Sequence, residues 1–142
     1  PTLMASTAML RDPLVREAMP AHLRDRLTES QATHQDAVRR ARRMAVPIAM
    51  GTDAGTPGNR HGANADELVA MVEEAGLSPR ESIHAATLGA ARLIRREADL
   101  GSLELGRCAD VIGLMGDPLR DINHVTHVAF VMKGGGIVRD DR

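Results

Sequence analysis

An acidic residue shortly after an apolar run is the first feature of this sequence that could do chemistry. Residues 46–50 read VPIAM, and Asp53 follows, ahead of a glycine-rich segment that also carries Arg60 and His61. A carboxylate can take up a proton, a guanidinium can bind a carboxylate through two parallel hydrogen bonds, and an imidazole can hold a carbonyl or a leaving group. Asp53 could equally be a turn residue, because aspartate side chains bond nearby backbone amides. The local pattern leaves both interpretations open.

The apolar run ahead of Asp53 has the composition of a short strand. Val46 and Ile48 are β-branched, and Gly51 ends the run. Because alternate residues of a strand share a face, Asp53 is predicted on the side of Gly51, away from Val46 and Ile48. The carboxylate should therefore project from the carboxyl end of the strand, where α/β proteins build active sites. Glycines at positions 55, 58 and 62 let the following loop bend close over a ligand.

Helical patterns lie on both sides of this run. Residues 30–44 are predicted to form a helix rich in alanine and arginine, with Ala37, Ala41 and Met44 one turn apart. Residues 64–76 have the clearest amphipathic pattern, ended by a glycine suited to a helix terminus. Its apolar stripe consists of Leu68, Met71, Val72 and Ala75.

A further helix is predicted to begin at Ser78. Pro79 suits the first helical position, and Glu81 completes a capping-box pattern with Ser78. A break is expected near Gly89. The side of this helix expected to be buried consists of Ile83, Ala86, Ala90, Leu93 and Ile94.

Short strands are predicted beyond residue 96. The segments LGSLELGRCADVIGLMG and VTHVAFVMKGGGIVRDD alternate apolar runs with glycine, and KGGGIV is typical of a hairpin turn. His124 and His127 would point to opposite sides of an extended segment, so no metal pair is expected there. No apolar run reaches the roughly 18 residues needed to span a bilayer, so no membrane partner is expected.

Composition and charge argue against several other partners. The 142 residues carry a net charge of −1 and one aromatic residue, Phe130. Neither a general polyanion binder nor a protein that stacks single-stranded nucleic acid is therefore expected. The RRARR cluster at 39–43 is interpreted as a solvated helix face. The only cysteine, Cys108, cannot form an internal disulfide, which favours a cytoplasmic location.

Four segments in the same order resemble one protein family. They are VPIAMGTDAG, HGANADELVAMVEEAGLSPRESIHAATLGAARLI, LGSLELGRCADVIGLMGDPLRDI and VMKGGGIV. Together they resemble the C-terminal part of the metal-dependent amidohydrolases, most closely the prolidase and imidazolonepropionase-like branch. The resemblance implies an α/β fold in two parts. Residues 1–97 would be the C-terminal part of a (β/α)8 TIM barrel, and residues 98–142 the C-terminal strands of a small β-sandwich domain.

The resemblance also implies a role for Asp53. It would be the strand-eight aspartate, which contacts the metal centre and handles the proton of the metal-bound water. The implied cofactor is a divalent metal, with zinc as the expected ion. The family's strand-one His-x-His pair, its strand-four lysine and its later histidines have no counterparts here. We therefore expect a fragment of a longer enzyme, in keeping with Pro1 as the first residue, that is inactive alone.

The implied function is hydrolysis of an amide or peptide C–N bond in a small peptide-like substrate, as by an Xaa-Pro dipeptidase or a carboxypeptidase. Arg60 would bind a substrate carboxylate, and His61 would lie nearer the reaction. The remaining barrel strands would come from an upstream segment or from a homo-oligomer. The alternative is a non-catalytic fragment, or an assembly or binding module, that lacks the metal ligands.

Overall fold

The computed structural model describes all 142 residues. Six α-helices precede a three-stranded antiparallel sheet. The helices are α1 (Leu3–Arg11), α2 (Pro13–Ala18), α3 (Ala21–Arg43), α4 (Asp66–Glu73), α5 (Pro79–Ala86) and α6 (Leu88–Leu93). The strands are β1 (Val111–Leu114), β2 (Val128–Lys133) and β3 (Gly136–Asp140), with a 3₁₀ helix (Ile122–Thr126) between β1 and β2.

Helix α1 was not anticipated from the sequence, although it carries a buried face. Leu3, Met4, Thr7 and Ala8 are buried, at the i, i+1, i+4, i+5 spacing of a helix side. The threonine within that stripe obscures the apolar period. The chain then turns at Asp12, whose side chain accepts hydrogen bonds from the first amides of α2 and so begins that helix.

Helix α3 is longer than predicted and is buried at a different residue. It begins at Ala21 rather than near residue 30, and Val38 is its only buried residue. Met44, expected on the helix's apolar side, is 73% exposed. The reason is that polar side chains make most of its long-range hydrogen bonds: Gln31 bonds α1, and Gln35 and Arg39 bond α4.

The buried face of α4 lies one residue away from the predicted stripe. Ala70 and Met71 are buried, as is Glu67, while Leu68 and Val72 are only partly buried. Nine buried residues form the apolar core, and Ile48 and Met50 pack against it. The nine are Leu3, Met4, Ala8, Val38, Ala70, Met71, Ala75, Leu77 and Ala85. An apolar pattern cannot foresee this face because a charged residue lies within it.

Glu67 is fully buried and receives the start of α1. Its Oε1 accepts the Leu3 amide at 2.9 Å, and its Oε2 accepts the Met4 amide at 2.8 Å. The first amides of a helix have no partner within the helix and carry its positive dipole end, so a carboxylate satisfies both needs. Burial nevertheless raises the pKa of Glu67 to about 7.

Glu74 joins the same helices two turns further on. Its Oε2 accepts the Thr7 hydroxyl at 2.9 Å and the Gln35 amide at 2.8 Å, and its Oε1 pairs with Arg11 at 3.0 Å. Thr7 lies on α1 and Gln35 on α3. Glu67 on α4 and Glu74 directly after it therefore hold both ends of α1, and Glu74 also holds the middle of α3.

The capping box predicted at Ser78 is confirmed, because Ser78 and Glu81 bond each other's backbone amides. The expected break falls at Thr87, two residues before Gly89. The predicted buried side is wrong: Ser82, Ala85 and Ala91 are buried, whereas Leu93 and Ile94 are 73% and 61% exposed. The break resets the helical phase, and small residues allow close packing on α4.

Residues 46–50 do not form the predicted strand. The Met50 amide bonds the Ala85 carbonyl at 2.9 Å, and the Gly51 amide bonds the Pro1 carbonyl at 2.8 Å. The amides of Ile48 and Ala49 bond no other group of the chain. A strand is defined by its hydrogen bonds to a neighbouring strand, and no other segment of the chain pairs with residues 46–50 in this way.

The hairpin predicted at KGGGIV is confirmed between β2 and β3, with Gly134 and Gly135 at positive φ. Strands expected around residues 100–108 are absent. His124 lies in the 3₁₀ helix rather than in an extended segment, so its ring centroid is 6.1 Å from that of His127. None of the helices combines the length and apolar composition needed to cross a bilayer.

The burial of Glu67 leads to a stability prediction. Burial makes the folded state hold the Glu67 proton more tightly than the unfolded state does, so the stabilisation linked to this proton is full below about pH 4.5 and is lost as pH rises through about 7. Glu67→Gln should remove that pH dependence. Glu67→Ala should lower the free energy of unfolding by about 2–4 kcal/mol, because two buried amides lose their acceptor.

Urea unfolding at pH 5 and pH 8 measures both effects. Glu29→Gln, at an exposed glutamate without a side-chain partner, is the matched control and should behave as the parent. An identical pH response in the parent and in Glu67→Gln would contradict the prediction.

Candidate active site

Asp53 begins a loop that runs to residue 62 and joins the unpaired segment to α4. Its backbone is left-handed, with φ at +51°, a conformation that few residues other than glycine adopt. Its side chain is exposed and has no hydrogen-bond or ion-pair partner in the chain. The carboxylate is therefore free to accept a proton or to bind a ligand.

Asn59 holds the backbone on which Asp53 sits. It is 5% exposed, and its side-chain amide donates to the carbonyl of Thr52 at 2.8 Å and to that of Asp53 at 3.1 Å. The Thr56 hydroxyl lies 3.3 Å from the same Asp53 carbonyl. No pattern in the sequence indicates this role, because an asparagine in a polar loop is ordinary and its burial becomes evident only in three dimensions.

The loop is anchored to α1 at Gly58. A Cβ atom at this position would lie 2.7 Å from the Ala8 carbonyl oxygen, and the Gly58 φ is +76°. Within the loop, the Gly55 amide bonds the Asn59 carbonyl at 2.7 Å. Glycine is required at Gly58 for both reasons, so α1 and the loop are in direct backbone contact.

His61 returns toward the start of the loop. It is exposed, and its Nε2 lies 3.2 Å from the position a Cβ atom would take on Gly55. The imidazole thus lies against the residue two places after Asp53. The structure brings this predicted substrate-binding side chain to the same end of the loop as the acid.

Arg60 faces a different part of the molecule. It is exposed and lines an open cavity of about 670 Å³ between the loop and α1, together with Arg11, Asp12 and Asp66. Neither Asp53 nor His61 lines this cavity. Of the two side chains predicted to bind substrate, only Arg60 lines this cavity.

A larger open cavity, of about 890 Å³, lies beside the unpaired segment. Its walls include Val46 and Ile48, and Arg80 and Arg92 also line it. Arg42, from the RRARR cluster, also lines it but is bonded to Glu81 at 2.9 and 3.0 Å. The one acid that lines this cavity, Glu81, is paired with Arg42, so the cavity offers apolar surface and unpaired backbone but no free carboxylate.

The side chains present do not by themselves make a metal centre. No three His, Cys, Asp or Glu residues lie close enough together to hold an ion. A catalytic zinc commonly takes three protein ligands and a water molecule. Asp53 could supply one ligand, and the others would have to come from residues outside this chain.

The structure agrees with the amidohydrolase class suggested by the sequence. It presents an exposed carboxylate on a held loop, with helices before the loop and a small antiparallel sheet near the end of the chain. Residues 3–138 match the model of the Amidohydrolase family. The chain therefore belongs to the amidohydrolase family, and the predicted resemblance is confirmed.

Particular relatives are similar over most of this chain. It is 40% identical over 114 residues to ochratoxinase from Aspergillus niger, which covers 75% of this chain and 22% of that protein. It is 33% identical over 100 residues to imidazolonepropionase from Geobacillus kaustophilus, which covers 68% of this chain and 23% of that protein.

A solved Xaa-Pro dipeptidase with methionine bound in its active site is similar in structure. The TM-score is 0.85 at 34% identity, covering 98% of this chain and 34% of that chain. This chain thus spans between 22% and 34% of the length of the three relatives.

The contact between Gly58 and α1 can be tested with two matched alanine substitutions. Gly58→Ala and Gly62→Ala both place a side chain at positive φ, but only at Gly58 would the Cβ atom meet another group. We expect both to be destabilising, and Gly58→Ala to cost about 1–3 kcal/mol more in free energy of unfolding. Urea unfolding measures the difference, and equal costs would mean that the loop does not pack on α1 in solution.

Proposed function

We propose that this chain contributes Asp53 to the active site of a metal-dependent hydrolase that cleaves an amide or peptide C–N bond of a small peptide-like substrate. The observation that carries the proposal is the unpartnered, exposed carboxylate of Asp53, on a loop held by Asn59, in a chain of the amidohydrolase family. A turn residue would use its carboxylate to bond the local backbone, as Asp12 does. Asp53 does not.

The rest of the catalytic fold comes from elsewhere. In this proposal residues 1–97 are the C-terminal part of a (β/α)8 TIM barrel, and residues 98–142 belong to a small β-sandwich. The free amides of Ile48 and Ala49 support the idea that a neighbouring strand pairs with this segment in the intact protein. Exposed apolar residues in the C-terminal part support the idea that further structure covers it in the intact protein. These residues are Leu103, Leu105, Ile112, Ile137 and Val138. An upstream segment of a longer protein or a second copy would supply these neighbours.

Asp53 has the chemistry of a general base and acid. Its carboxylate would accept a proton from the attacking water and deliver one to the leaving amine. A divalent metal, zinc in this proposal, would polarise the scissile carbonyl once the intact protein supplies its remaining ligands.

A dipeptide or an N-acylated amino acid is the substrate class we favour. One structural relative is an Xaa-Pro dipeptidase, and a dipeptide carries a free carboxylate, which supports this class. Arg60 would grip that carboxylate through paired hydrogen bonds. His61, which lies against Gly55 near the acid, would be nearer the reaction than Arg60.

The alternative is a binding or assembly module without catalysis. It is favoured by the single carboxylate that this chain contributes. An intact protein that holds its metal but turns over no small amide or dipeptide would support the module and contradict the hydrolase.

Asp53→Asn in the intact protein tests the proposed base. It preserves size but removes the proton acceptor, so kcat should fall by about 10²–10⁴-fold while the fold is unchanged. Steady-state kinetics on Xaa-Pro dipeptides, with circular dichroism as the folding check, measures this. Asp36→Asn, at an exposed acid on α3 that lines neither cavity, is the control. Near-normal turnover in Asp53→Asn would contradict the proposal and leave Asp53 as a turn residue without a catalytic role.

Arg60→Ala tests carboxylate recognition. We expect kcat/KM to fall by about tenfold or more for a substrate with a free C-terminal carboxylate, and to stay near the parent value for its amidated analogue. Arg80→Ala removes an arginine from the cavity beside residues 46–50 and should leave kcat/KM unchanged for both substrates. Equal losses on both substrates would rule out the recognition role.

A further inference from the structure

Asn59 is one of only four polar or charged residues that the fold buries. The other three, Thr7, Glu67 and Ser82, bond groups on neighbouring helices. Asn59 alone directs its side chain into the loop of the candidate active site. Its two acceptors are the carbonyls of Asp53 and of the residue before it.

We propose that Asn59 is the positioning residue of the Asp53 site, and that its side-chain amide holds residue 53 in the left-handed conformation that presents the carboxylate. The loop role concerns this chain alone, whereas its catalytic consequence rests on the proposed hydrolase function. Asn59 touches no reacting atom in this proposal and acts through Asp53.

The chemistry of the contact requires an amide. Both partners of the Asn59 side chain are carbonyl oxygens, so only the NH₂ group can satisfy them, and both of its hydrogens are used. An aspartate of the same shape would place a negative oxygen against two acceptors. Asn59→Asp therefore inverts the interaction without changing the volume of the side chain.

The backbone of Asp53 needs such a contact. At φ of +51° an aspartate is tolerated, but it is less stable than in extended conformations that would turn the carboxylate elsewhere. The Thr56 hydroxyl also bonds the Asp53 carbonyl, but at 3.3 Å it is the longer contact. Asn59 binds the carbonyls on both sides of the Cα atom of Asp53 and so fixes its two flanking peptide planes.

The backbone bonds of the loop do not involve the Asn59 side chain. The Gly55 amide bonds the Asn59 carbonyl, and the Asn59 amide bonds the Thr56 carbonyl at 2.9 Å. Substitution of the side chain leaves both groups in place. A change in the loop can therefore be attributed to the lost side-chain amide.

The experiment uses trypsin cleavage after Arg60, an exposed loop arginine next to Asn59, in the 142-residue chain under native conditions. Mass spectrometry follows the bond between Arg60 and His61. Asn59→Asp and Asn59→Ala should accelerate this cleavage by about tenfold or more, because the loop opens more readily without its buried hydrogen bonds. Asn64→Asp makes the same chemical change at an exposed position in the linker to α4, and should stay within about twofold of the parent.

A double variant separates a positioning role from general support of the loop. Glycine takes positive φ without penalty, so Asp53→Gly should reduce the excess cleavage caused by Asn59→Ala. If Asn59→Ala is cleaved no faster than the parent, or if the double variant is cleaved as fast as Asn59→Ala alone, the proposal is wrong. Circular dichroism melting of each variant ensures that the rates refer to folded protein.

Kinetics of the intact protein completes the test. Asn59→Asp should lower kcat by about 10²-fold, with KM and metal content changed much less, because a displaced base slows the chemical step. If Asp53→Asn is inactive while Asn59→Asp keeps full kcat, the positioning role fails and the hydrolase stands. If Asp53→Asn remains active, the proposed function fails, and the cleavage rates still decide the loop role.

Discussion

The carboxyl groups of Glu67, on α4, and Glu74, directly after α4, bind α1, and the position of the candidate site depends on them. Glu67 accepts the first two amides of α1, and Glu74 binds the side chains of Thr7 and Arg11 further along that helix. The two residues before α1, Pro1 and Thr2, lie beside Gly51, and the Gly51 amide bonds the Pro1 carbonyl. The backbone that leads into Asp53 thus follows the start of α1, which Glu67 and Glu74, further along the chain, bind.

The sequence predicted the features whose physics is local. The capping box at Ser78, the glycine hairpin after Lys133 and the loop after Asp53 each depend on a few neighbouring residues. Glu67 could not be predicted, because buried charge depends on partners 63 and 64 residues away. The role of Asn59 could not be predicted for a similar reason, because its burial depends on how the loop folds.

Residues 46–50 show how secondary structure can depend on a partner. Their β-branched composition is that of a strand, yet two successive amides, at Ile48 and Ala49, remain unbonded. The proposal that this chain is part of a larger barrel accounts for the discrepancy, since a strand of a parallel sheet needs a neighbour to bond its amides.

The contacts that shape the Asp53 loop all lie within the chain. Asn59 supplies the side-chain bonds, Gly58 the contact with α1, and Gly55 a backbone bond across the loop. Ordering the loop is therefore part of folding and draws nothing from the binding free energy of a ligand. The backbone that carries the acid is preorganised in this way, so in the proposed hydrolase a substrate would meet a loop whose backbone is already in place.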